Sequence, residues 1–102
     1  MDKGTLVMMH GMTGTSEKME DLARRLTPDG WSTLCPQAKI VHPTRGGFAW
    51  WLFEGAISKE ESMTQMEQSL SEVLEILPDG PIIVGGFSQG GAMASALLGT
   101  EA

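Results

Sequence analysis

Positive charge is scarce in this sequence: seven Lys and Arg stand against thirteen Asp and Glu, a formal net charge of -6 over 102 residues. A polyanion finds little to hold, which argues against nucleic acid and against anionic membrane surfaces as main partners. Cysteine is nearly absent. With Cys35 alone, no intrachain disulfide can form, nothing points to an oxidising compartment, and Cys35 itself reads as a small buried apolar residue. Long apolar runs are missing too. The opening MDKGTLVMMHG turns after a few apolar residues, too short a stretch for a signal peptide or a membrane span, so a cytoplasmic location is expected by default. Eight methionines fall on core-facing positions and scattered loops, and read as packing rather than metal ligation. No metal and no cofactor is expected.

What is present is ordinary globular composition, 41% hydrophobic and 20% charged, enough for one domain over residues 1–102 with a modest core. Two stops of nearly the same wording punctuate it, LTPDG at 26–30 and LPDGP at 77–81, each placed to end a helix and precede a strand. Before the first, Met19, Leu22, Ala23 and Leu26 have helical spacing over 17–26, with Ser16 as N-cap. Before the second, Met63, Met66, Leu70, Val73, Leu74 and Leu77 form a stripe. Its start is marked by capping-box spacing at Ser62 and Gln65, or one turn earlier at Ser58 and Glu61. Short apolar runs at 5–9, 31–35 and 82–86 read as strands buried on both sides. This order predicts an α/β fold, a three-stranded parallel sheet with helices on both faces. The first strand lies in the middle, and loops from the first and third strands face each other at a topological switch point.

One of those loops holds the most specific signal. The stretch VGGFSQGGAMA contains no G-x-G-x-x-G dinucleotide turn and no P-loop, because Gly90 is followed by Gly91 and not by lysine. It does contain G-x-S-x-G at Gly86, Ser88 and Gly90, between an apolar strand and an alanine-rich helix. A serine on so tight a turn projects its hydroxyl, and the flanking glycines give strand and helix room to approach. The amide of Gln89 opens the helix and points into the same space, where it can help stabilise an oxyanion. The bland alternative is a glycine-rich turn with an incidental serine; the strand, turn, helix order favours the nucleophile.

The other loop, HGMTGT at 10–15, offers the amide of Met12 as a second oxyanion donor. His10 is expected to tie down this loop rather than to act as a base, and His42 to be a solvated loop residue. Residues 36–55 form a long connection carrying Phe48, Trp50, Trp51 and Phe53. Long loops in compact α/β domains usually serve binding, so Phe48, Trp50 and Trp51 are candidates for an apolar acyl pocket beside Ser88, while Trp51 or Phe53 caps the core.

HGMTGT, CPQA after the second strand, AWW preceded by Gly46 and Gly47, and GGFSQGGAMA together resemble the phospholipase/carboxylesterase family of α/β hydrolases, which includes the acyl-protein thioesterases. The resemblance runs over nearly the whole chain. It implies a partial α/β-hydrolase fold and a serine hydrolase of small carboxylic esters or thioesters, with Ser88 as nucleophile and the amides of Met12 and Gln89 as oxyanion hole. The family more often has glycine where this chain has Thr13. In α/β hydrolases the acid and then the histidine follow the elbow, yet residues 89–102 contain Glu101 and no histidine. The expectation is therefore the amino-terminal half of a hydrolase, inactive or nearly so by itself. Its third strand would be left as an open edge that favours homo-oligomers. Two other readings stay open: an inactive binding or dimerising module that keeps the elbow as architecture, and a peptidase or acyltransferase of the same fold.

Overall fold

A computed structural model describes residues 3–52 and 57–100. Phe53 and Glu101 lie outside the described residues. The elements in chain order are β1 (Thr5–Met9), α1 (Ser16–Leu26), β2 (Ser32–Leu34), β3 (Ile40–Val41), β4 (Phe48–Ala49), α2 (Lys59–Ile76), β5 (Ile82–Gly86) and α3 (Gln89–Thr100). Beta1 is central and buried along its whole length. It pairs in parallel with β2 from Thr5↔Ser32 to Val7↔Leu34 and with β5 from Thr5↔Ile82 to Met9↔Gly86, giving the order β2-β1-β5. This is the layout expected of right-handed crossovers from a first strand in the middle.

Alternation along β1 divides the core. Leu6 and Met8 face α1, where they pack with Met19 and Ala23. Met9, on the other face, joins Trp50, Val73, Met93, Ala94 and Leu97, so α2 and α3 cover that side. The parallel sheet is thus roofed by helices on both faces. Leu22 and Leu26, although in helical register, stay exposed on the flank of α1, as do Met63 and Leu74 on α2. The buried stripe of α2 is narrower than its apolar stripe: Val73 is enclosed, and Met66, Leu70 and Leu77 pack beside it.

Caps set the helix starts. Thr15, one residue before the expected Ser16, caps α1, its hydroxyl accepting from the Lys18 amide at 3.2 Å. For α2 the earlier of the two candidate boxes forms. The Ser58 hydroxyl accepts from the Glu61 amide at 3.1 Å, and Glu60 and Glu61 place negative charge in the first turn. Both helix stops use a glycine in the left-handed region, Gly30 at φ 82° and Gly80 at φ 98°. Beta2 is shorter than expected, three residues instead of five.

The long connection is more ordered than its sequence suggests. Ile40 pairs with Ala49 and Val41 with Phe48 in an antiparallel hairpin, which Gly46 and Gly47, both at positive φ, allow to turn. His42 is not a solvated residue. It is 6% exposed, and its Nδ1 accepts from the amides of Thr44 at 3.3 Å and Arg45 at 3.0 Å, holding the hairpin turn from inside. Among the described residues no helix is long and apolar enough to cross a membrane.

Candidate active site

The elbow is built as its sequence requires. Ser88 lies two residues past the end of β5, after Phe87, and sits at φ 56°, in the left-handed region that residues with side chains rarely enter. Its side chain is exposed. A Cβ on Gly86 would come within 2.2 Å of the Gly90 backbone, and one on Gly90 within 2.1 Å of the Met9 carbonyl oxygen. No side chain fits at either place, so the two glycines let α3 start hard against the ends of β5 and β1. The Phe87 amide donates to the Met9 carbonyl at 3.2 Å, the last rung of the sheet before the turn. Alpha3 then closes with Gly91 and Ala92 donating to the Ser88 carbonyl.

The loop after β1 lies against this turn. A Cβ on Gly11 would be 3.0 Å from the Phe87 carbonyl oxygen. The loop is fixed from behind by β4: the Thr13 amide donates to the Phe48 carbonyl at 2.8 Å and the Phe48 amide to the Gly14 carbonyl at 3.1 Å. Thr13 itself stands at φ 67°, an uncommon conformation for a β-branched residue. Gly47 lies so close to the Thr13 carbonyl group that no Cβ could be accommodated there. Among the described residues no acceptor pairs with the amides of Met12 and Gln89.

His10 is a structural residue. Its ring is buried, Nδ1 donates to the Gly11 carbonyl at 2.7 Å, and Nε2 accepts from the Ala38 amide at 3.0 Å, which defines the neutral tautomer with the proton on Nδ1. Burial pushes its pKa below the usual histidine value, and the bond to Gly11 offsets part of that. Both ring nitrogens are occupied away from Ser88. His42 is held in its own hairpin turn. Cys35 is half-buried rather than fully buried, and burial, with the Glu20 charge adding, pushes its thiol above the usual cysteine value. A shift in that direction favours the thiol over the thiolate.

The aromatics divide. Trp50 is 2% exposed and belongs to the core, stacked on the His10 ring at a centroid distance of 5.0 Å. The expectation that it lines an acyl pocket beside Ser88 meets an indole that is buried in the core and borders a small cavity with Pro36, Lys39 and Val73. Phe48 and Trp51 are partly buried against the same core. Several residues with a role here carried no sequence signal of it. The Gln89 side chain is buried, its Oε1 accepting from the Trp50 amide at 3.0 Å and its Nε2 donating to the Trp51 carbonyl at 2.7 Å. Ser69 of α2 donates to the Trp50 carbonyl at 2.6 Å. Gln37 accepts from the Ser16 amide at 2.9 Å and reaches the His10 ring.

A family sequence model described as the alpha/beta hydrolase fold matches residues 4–101. The chain belongs to the alpha/beta hydrolase fold family. No curated protein matches it. For a member of this family the strained serine after β5 and the glycine loop after β1 occupy the carboxyl ends of adjacent parallel strands, where open α/β sheets bind ligands.

Proposed function

We propose that the chain carries the nucleophile and oxyanion donors of a serine hydrolase acting on carboxylic esters or thioesters, of the phospholipase/carboxylesterase kind. The observation that supports it best is Ser88 at φ 56°, a strained backbone position of the kind that clusters at active sites and that the nucleophile turn requires. In this reading the Ser88 hydroxyl attacks the acyl carbonyl. The amides of Met12 and Gln89 stabilise the oxyanion, and the alcohol or thiol leaves after accepting a proton. Phe48 and Trp51 remain the candidates for contact with an apolar acyl group. Both histidines are bound into their own loops, so neither is assigned as the general base. Without it, an oxyanion hole and binding alone give roughly 10³–10⁴ over water.

The test is fluorophosphonate labelling and p-nitrophenyl acetate hydrolysis by the chain and by Ser88→Ala. Slow labelling that disappears in the variant supports the reading; labelling that persists in Ser88→Ala, or none in either, removes it. The second outcome favours an inactive hydrolase-like binding or dimerising module, which the occupied histidines also suit.

A further inference from the structure

The sheet aligns its strands only as far as Met9 and Gly86, with the Phe87 to Met9 bond as its last rung. Beyond that the two turns that carry Met12 and Gln89 pack against each other at Gly11 and Gly90, but no further sheet hydrogen bond ties one to the other. A third segment, residues 50–51, spans them. On one side the Trp50 indole Nε1 donates to the His10 carbonyl at 2.8 Å while the indole plane stacks on the His10 ring. On the other side the Gln89 side-chain amide takes the Trp50 amide and the Trp51 carbonyl in one bidentate grip. Ser69 anchors the span to α2 through the Trp50 carbonyl. Trp50 and Gln89 are both buried, so losing one of these bonds leaves a polar group without a partner in or beside the core.

We infer that Trp50 is a positioning residue which, through the Gln89 side chain, locks the loop after β1 to the elbow and so sets the separation of the Met12 and Gln89 amides. The inference rests on the reading of those amides as oxyanion donors, but the brace itself has a separate readout. Glutamine suits its place because one end accepts and the other donates, matching an N–H and a C=O on successive residues. Glutamate has the same shape, yet it would set a second oxygen against the Trp51 carbonyl. An acyl transition state is sensitive to such spacing: a displacement of about 1 Å can cost roughly 100-fold in rate.

The experiment uses the whole chain, with amide hydrogen exchange followed by NMR in Trp50→Phe and Gln89→Glu. Trp50→Phe keeps an aromatic ring and deletes the bond to His10; Gln89→Glu deletes the bond to Trp51. The brace requires each change to be felt on the far turn. Exchange at Gly90 and Gly91, whose amides donate to the Phe87 and Ser88 carbonyls, should rise on the order of tenfold in Trp50→Phe, and exchange at Gly14, whose amide donates to the Gly11 carbonyl, should rise comparably in Gln89→Glu. Effects confined to the altered residue's own turn overturn the inference, and if Trp50→Phe does not fold, Gly14 in Gln89→Glu decides alone. Fluorophosphonate labelling of Ser88 is measured alongside. Its absence in the unaltered chain would remove the oxyanion reading, while the exchange data would still decide whether the two turns are locked.

Discussion

Gly11 and Ser88 are packed so closely that a Cβ on Gly11 would sit 3.3 Å from the Ser88 Cβ. Gly11→Ala can be housed only if the loop after β1 and the elbow move apart by a few tenths of an ångström. The expected result is a stability loss of about 1 kcal/mol with a disproportionate fall, about tenfold or more, in the rate of Ser88 labelling. Chemical denaturation and labelling kinetics on the same preparation check it; a labelling rate unchanged by the substitution would show that the loop plays no part in the chemistry.

Thr13 stands at φ 67°, where a non-glycine residue costs roughly 1–2 kcal/mol. Replacing it with glycine removes that strain and adds some entropy to the unfolded chain, which takes back part of the gain. Thr13→Gly should therefore be stabilising by about 0.5–1 kcal/mol, read from urea midpoints. A destabilised variant would mean that the Thr13 side chain contributes more than its backbone costs.

Acid should weaken the fold before the carboxylates titrate. Burial holds the His10 imidazole below its usual pKa, and Nε2 is occupied as an acceptor from Ala38, so the native state resists a proton that the unfolded chain accepts near pH 6.5. This contribution is complete above about pH 6.5 and is lost as pH falls toward the lowered native value, with a slope of up to about 1.4 kcal/mol per pH unit. Unfolding midpoints between about pH 7.5 and 5 should fall more steeply for the unaltered chain than for His10→Gln. Parallel slopes would contradict the assignment.

Association is expected at the outer side of β5. Among the described residues nothing pairs with that edge, and Ile83 and Phe87 are exposed beside it, at 44% and 69%. Such an edge recruits another strand, and lysine on it discourages pairing. Size-exclusion chromatography should show concentration-dependent self-association that Ile83→Lys reduces. A monomer at every concentration would count against the open edge as an interaction surface.

The turn after β5 was legible in the sequence where backbone geometry demands one residue type. Gly86 and Gly90 are glycine because backbone occupies the place of their side chains, and the strand order follows from short apolar runs alternating with helical stripes. The brace was not legible. Gln89 and Trp50 are thirty-nine positions apart, and nothing in their types distinguishes a buried bidentate contact from an exposed amide and a pocket wall. His42 was misread for a related reason: a histidine among Pro43, Thr44, Arg45 and glycines has the composition of a surface loop, while its Nδ1 serves as the internal acceptor of a tight hairpin turn. Leu22 and Met63 show the opposite error, since helical spacing marks apolar residues on a face without showing how much of that face a neighbour covers.

The central strand has a consequence for how the molecule comes to be made. Beta1 is synthesised well before the strand that completes its ladder on one side, which begins at Ile82, so joining them closes a long loop. Non-local parallel pairing of this kind is slow and leaves apolar segments uncovered while it waits. Met9, fully enclosed at the end, has no cover from α3 until residues 93–97 exist. Ser88 and the loop that faces it are therefore brought together only by this long-range pairing, and a nascent chain stopped short of α3 holds neither a finished core nor a crevice.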